Sequence, residues 1–286
     1  MKKIITMLVA LSFVFCMMDI PIANATTLEN QRTADANIEL SESAKNQIET
    51  DLALFKDVGI DVSSISPVSV QSDSSILYKI DYDDEISELA KINKNDNGDI
   101  TMTVENGALH DTITVESSGE LLLDNKVVSF DNIKEKNVVD FSNDGIEVAS
   151  QYGRGSIYRT SPIKGASSDY TTKVKTIKNA SVKTNKIIKN LTISAIATII
   201  KKSLQLSMPE TLPVTVISTV AKHVKSAAET NAPTSAYLSY SLTKYAYKNN
   251  TKLDKYYKYT GNYYPKKNYA GKKCPHTFYE YNAIGL

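Results

Sequence analysis

Two apolar stretches lie close together in LTISAIATIIKKSLQLSMPETLPVTVISTVAKHVK, Leu191 to Lys225, and both repeat at helical spacing. On a helical wheel Ile193, Ile196, Ala197, Ile200 and Leu204 fall together, opposite Ser194, Thr198, Lys201 and Lys202. In the second stretch Val216, Ile217, Val220, Ala221, Val224 and Ala228 fill one arc, and Thr215, Ser218, Thr219, Lys222, Lys225 and Glu229 the rest. Apolar residues three and four apart mark an amphipathic helix. Met208-Pro209 and Pro213 break the chain between the two, because proline lacks the N–H a helix interior needs. The pattern predicts an αα-hairpin. A further amphipathic helix is predicted upstream, where Ala44, Ile48, Leu52 and Phe55 share a face, Ser41 or Ser43 can cap and Gly59 terminates.

Elsewhere the period is two. SILYKIDY, ITMTV, LHDTITVE and KVVSF alternate, and the turn signals Asn-Gly, Ser-Gly and Asp-Asn divide them, which predicts an antiparallel β-meander. After Pro233, AYLSYSLTKYAYK and LDKYYKYTGNYYPKKNY predict strands, the second with a Thr-Gly-Asn turn inside it, and CPHTFYEYNAIGL predicts a last short strand. The fold class predicted is α+β: an N-terminal helix with an antiparallel meander, then an amphipathic αα-hairpin with a Tyr/Lys-rich antiparallel sheet.

Charge divides the chain more sharply than hydropathy does. Residues 26–150 hold 26 Asp and Glu against 9 Lys and Arg, a net of −17, and residues 151–286 hold 5 against 22, a net of +17. Tyrosine divides the same way, with Tyr78 and Tyr82 before the junction and the other 15 after it. Opposed charge of this size bears on association and partners rather than on fold. The organisation expected is an acidic α+β domain over 26–150, a linker over 151–173 and a basic domain over 174–286. The linker is rich in Gly and Ser and carries Arg154 and Arg159, two of the chain's three arginines, which are natural cuts for a trypsin-like protease.

The first 25 residues belong to a different category. Lys2 and Lys3, the apolar run Ile4–Met18 and then Ala23-Asn24-Ala25 have the order of a secretory signal peptide, with cleavage expected after Ala25 and a secreted, extracellular product. That product keeps a single cysteine, Cys274, so no internal disulfide is available to it.

Candidate chemistry is sparse. The histidines are His110, His223 and His276, none in an H-E-x-x-H pattern, and no P-loop, G-x-S-x-G or dinucleotide fingerprint appears. Cys274 and His276 share a strand face at their spacing, but nothing nearby in sequence orients the imidazole or lowers the thiol pKa. NKNDNGDI, from Asn93, imitates the start of a calcium loop, yet Asn93 and Val104 stand where such loops need carboxylates. The expectation is a protein that is not an enzyme, with no cofactor and no metal. Neither hairpin helix has the roughly 18 uninterrupted apolar residues of a membrane span. A cationic amphipathic helix can instead lie in a membrane interface, its lysines attracted to anionic lipid. The other reading of the same faces is the core of a basic binding domain, and Lys with Tyr suits surface polyanions. Secretion makes nucleic acid an unexpected partner.

In its order of leader, acidic segment, linker, cationic helical hairpin and Tyr/Lys-rich tail, the chain resembles large secreted bacteriocin precursors, geobacillin-type high-mass bacteriocins among them. The likeness lies in organisation, with no motif aligned residue by residue. It implies an antibacterial protein released into the medium that acts on the envelope of related bacteria. On that reading the envelope-contacting residues are Ile193, Ile196, Ile200, Val216, Val220 and Val224, with Lys201, Lys202, Lys222 and Lys225 supplying attraction to an anionic surface. The acidic N-terminal half partners the basic C-terminal half and masks these faces until cleavage at Arg154 or Arg159. The alternative is a non-catalytic extracellular module that binds cell wall or surface polyanions, in which the hairpin is core.

Overall fold

The first helix among the described residues, α1 (Glu42–Val58), stops at Gly59, whose φ of +100° suits glycine. There the N–H of Ile60 donates to Phe55 O at 2.9 Å and that of Gly59 to Lys56 O at 3.1 Å, a closure that satisfies the helix's last carbonyls. The computed structural model describes residues 41–72, 74–83, 85–131, 139–140, 157–207, 212–231 and 234–283. The fold is α+β, with helices and two antiparallel sheets.

The first sheet is the meander that alternation predicts. Strands β1 (Ile65–Val70), β2 (Ile76–Asp81), β3 (Ser87–Lys94), β4 (Ile100–Asn106), β5 (Leu109–Val115), β6 (Leu121–Leu123) and β7 (Lys126–Val127) pair in sequence order. Each turn signal forms its turn. Gly107 at φ +58° links β4 to β5, Gly119 at φ +88° precedes β6, and Asp124 and Asn125, at φ +49° and +61°, close the two-residue β6–β7 hairpin. The calcium-like NKNDNGDI is the β3–β4 turn. Asn95 Oδ1 accepts from the Asp99 N–H, and Asp99 in turn accepts from Asn95 Nδ2 and the Ser117 N–H.

The second sheet takes strands from both sides of the charge boundary. Its main path runs β10 (Ile157–Arg159), β15 (Cys274–Ala283), β14 (Asp254–Tyr264), β13 (Tyr237–Ala246), β11 (Thr172–Lys178) and β9 (Val139–Asp140). Off that path, β12 (Val182–Lys183) pairs with both β13 and β8 (Ser129–Phe130). Two strands of the acidic segment, β8 and β9, thus complete the basic sheet, and Glu42–Leu286 is one compact unit. The segment expected as a linker contributes too: Ile157–Arg159 pair with Tyr281, Glu280 and Tyr279.

One turn expectation is overturned. Thr260-Gly261-Asn262 lies inside the continuous strand β14 and makes no turn. A Cβ on Gly261 would fall 2.0 Å from His276 Cε1 and 2.2 Å from the Tyr240 hydroxyl, so close side-chain packing is what requires glycine here.

The predicted hairpin is present as α2 (Ile193–Ser207) and α3 (Val214–Asn231). α2 packs on α1 and β6, α3 packs on β14 and β15, and the helices pack on each other, so the hairpin is the middle layer between two sheets. A single apolar cluster runs through all of it, from Phe55, Tyr78 and Met102 through Ile196 and Val220 to Tyr259 and Phe278.

Candidate functional site: the clamped hairpin and the outer sheet face

The residues expected to meet an envelope occupy the centre of this middle layer. Ile196, Ile200, Val216, Val220 and Val224 are 0% exposed and Ile193 2%. Burial extends to the polar side of α2, where Ser194 and Thr198 are also enclosed. A helix buried on all sides is core. The lysines are engaged as well. Lys201 Nζ donates to Lys56 O at 2.7 Å and Asp57 O at 2.5 Å, at the end of α1, where cations complement the helix dipole. Lys222 donates to Tyr82 O at 3.0 Å and pairs with Asp83 at 2.6 Å. Lys225 donates to Lys189 O and pairs with Glu229 at 3.2 Å. Lys202 is half-buried. Among the described residues no helix is long and apolar enough to cross a membrane. Ala25 and Arg154 lie outside the described residues, and Arg159 sits in β10, its peptide paired to β15.

The start of α2 is held by two carboxylates from the first sheet. Thr192 caps the helix, its hydroxyl accepting from the Ala195 N–H at 3.2 Å. Glu88, from β3, accepts from the N–H of Ile193 at 2.6 Å, the N–H of Ser194 at 3.0 Å and the Ser194 hydroxyl at 2.6 Å. Asp111, from β5, accepts from the Thr192 N–H at 2.6 Å and from Lys186 at 2.7 Å. The free N–H groups and the dipole of a helix start favour negative charge, and here they receive it within the core. Burial pushes the Glu88 carboxyl above its usual range, opposed by the Ser194 and Ile193 bonds and reinforced by Asp111. Lys186, which also pairs with Asp124, is held above the usual lysine range by both aspartates against the effect of its own burial.

Cys274 and His276 do share the inner face of β15, but as packing. The thiol is 4% exposed, burial raises its pKa, and it points to Lys272 O at 3.6 Å. His276 stacks on His223 at 3.8 Å between ring centres, and its Nε2 lies 3.2 Å from the Tyr240 hydroxyl. Burial, and the adjacent His223, depress its pKa to about 3. A protonated thiol beside a neutral imidazole is not a thiolate–imidazolium pair.

The opposite, outer face of the second sheet is organised in rows, because directly opposed residues of antiparallel strands share a face. One row reads Lys173, Tyr245, Lys258, Tyr279 and Arg159 across five strands. The next reads Thr176, Thr243, Thr260 and Thr277, with the first two hydroxyls 3.1 Å apart. A third reads Lys178, Ser241, Asn262 and Pro275. Lys258 lies over the Tyr245 ring at 5.4 Å, and Lys178 over Tyr269 at 5.1 Å. A strap from the expected linker crosses one end of this face. Lys164 sits over the Tyr256 ring at 4.8 Å, Ser167 accepts from Tyr279 and Lys258, and Asp169 pairs with Lys248 at 2.7 Å.

Neither Glu88, Asp111, nor the threonine row stood out in the sequence, although Glu88 shares the alternation of Ala90 and Ile92, and Asp111 that of Ile113 and Val115. A carboxylate in phase with an apolar face is the signal that finds them. No family model, curated protein or solved structure matches this chain.

Proposed function

We propose that the protein is exported and binds anionic polymers of the bacterial envelope, without catalysis, through the outer face of its second sheet. The observation that carries this reading is the row in which Lys173, Lys258 and Arg159 alternate with Tyr245 and Tyr279. Strand spacing of about 5 Å sets cations about 10 Å apart along it, a comb suited to a repeating anion. Tyr245 limits the motion of Lys258 by cation–π contact, Tyr279 supports the row from beneath the strap, where it is buried, and the threonine row beside them offers hydroxyl donors. Binding is measured by retention of residues 26–286 on isolated Gram-positive cell walls, with and without their teichoic acids. Retention that falls with salt, and falls further in Lys178→Glu/Lys258→Glu, is the expected result. Unchanged retention in that double variant overturns the reading.

A second reading, an antibacterial protein whose hairpin acts on membranes once freed from its acidic half, is favoured by the Glu88 and Asp111 contacts that hold α2. It requires the halves to part, since the apolar faces lie between them. Its test is growth inhibition and vesicle leakage by the chain cleaved at Arg154 beside the intact chain. Killing by the cleaved form alone supports it; inactivity of both forms on several indicator strains rejects it.

A further inference from the structure

The outer face of the second sheet already carries an occupant, the strap. Residues 160–171 join β10 to β11, which stand on opposite sides of β15, β14 and β13, so this connection has to pass all three strands. It passes over the row that holds Lys258 and Tyr279. Lys258 Nζ donates to the Ser167 carbonyl at 3.0 Å, and the Tyr279 hydroxyl donates to Ser167 Oγ at 2.9 Å. Asp169, the one acidic residue between 151 and 173, pairs with Lys248 at 2.7 Å. Oxygen atoms set on lysines are what an anionic polymer supplies, so the strap stands where part of such a ligand would lie.

The strap has a fixed root and an exposed tip. At the root Tyr170 is buried, with its ring edge-on to Tyr247 and Tyr279 at 5.3 and 5.2 Å between centres. The Lys248 N–H donates to Asp169 O at 2.9 Å, and the Tyr170 hydroxyl donates to Lys164 O at 3.1 Å. Residues 165–168, between these anchors, are all exposed, and the two Ser167 bonds hold them to the row. Polar contacts at a surface are individually weak, because water competes for each partner. A polymer that brings several anionic groups to the row can replace them while Tyr170 keeps the root in place.

On the reading that the outer face binds envelope polymer, we propose that the strap is its autoinhibitory cover: residues 165–168 occupy the middle of the Lys/Tyr row and are displaced when polymer binds. A row that is open for only a fraction of the time has its apparent affinity lowered by that fraction. Loosening the strap therefore tightens binding. Ser167→Gly/Asp169→Gly removes the acceptor of Tyr279 and the partner of Lys248, and it adds backbone freedom. Its retention on walls that carry teichoic acid is expected to exceed that of the wild type about tenfold. Asp131→Asn, which removes the same charge from an exposed site off the strap, is expected to stay within about twofold of the wild type. A retained wild type with a double variant held equally or less overturns the cover and leaves the polymer-binding reading intact. Retention of none of the three forms overturns that reading, and the cover with it. The wild type alone supplies a second measurement, the rate at which trypsin cuts after Lys164 with and without teichoic acid released from the same walls. Faster cutting with polymer bound is expected. An unchanged or slower rate shows that polymer leaves the strap in place, and overturns the cover.

Discussion

Glu88 joins a strand of the first sheet to the start of a helix that follows it in sequence by more than a hundred residues. Its carboxylate receives three donors, and Glu88→Ala leaves the N–H groups of Ile193 and Ser194 unmatched within the core, while the Ser194 hydroxyl keeps the Tyr82 hydroxyl at 2.6 Å as a partner. The expected loss is about 3 kcal/mol, read from denaturant unfolding. Glu88→Gln keeps one acceptor and loses less. The pH dependence has a definite sign. A carboxyl with a raised folded pKa binds its proton more tightly folded than unfolded, so its contribution is complete below the unfolded pKa. It is lost as pH climbs from the usual glutamate value through the raised one. Thermal midpoints of the wild type decline across that window, and Glu88→Gln flattens the decline; an equal slope in both removes Glu88 as its source. His276 acts in the other direction. Its pKa is depressed to about 3, so its contribution is present above the ordinary histidine value and is lost as pH falls toward 3. The fall in thermal midpoint between pH 7 and pH 4 is expected to be smaller in His276→Phe than in the wild type.

At the scale of elements, helical and strand periods were readable because α1, α3 and the meander each bury one consistent face and α2 keeps its apolar residues at the helical period, although its polar side is buried as well. Where one residue type answers two needs, the reading failed. Gly261 has the neighbours of a turn, yet it is a strand glycine beneath His276 and Tyr240. Gly261→Ala is accordingly expected to cost about 1–3 kcal/mol through overpacking, or more if the His223–His276 stack is displaced. Chemical denaturation measures it, and a cost near zero shows the rings to be free to move. The threonine and Lys/Tyr rows were unreadable for another reason. They exist only through the register of β11, β13, β14 and β15, and a slip of one residue in any strand would place those side chains inside.

For the molecule as a whole, the contrast of −17 and +17 marks two halves that grip one another, through Glu88 and Asp111 at the start of α2, Lys201 at the end of α1 and Lys222 at Asp83. Strands β8 and β9 add backbone pairing between the halves. A chain cut at Arg154 is therefore expected to remain associated through size-exclusion chromatography at physiological salt and to separate only in denaturant. Spontaneous separation after the cut contradicts a shared core and favours a hairpin that is released. Salt alone does not part the halves, because Glu88 and Asp111 are enclosed and screening reaches them weakly.

Period, turn chemistry and charge are local properties, and they were enough to determine the helices, the meander with its Asn-Gly, Ser-Gly and Asp-Asn turns, and the α+β class. The same amphipathic faces Ile193–Leu204 and Val216–Ala228 fit a membrane interface or a protein core equally well, since periodicity records only that a face is apolar and is silent about what covers it. Tertiary structure decided that. It brought β8 and β9 across the charge boundary, placed two carboxylates at a helix start distant in sequence, and set the hairpin between two sheets. Those outcomes depend on long-range pairing and register, which no window of sequence contains.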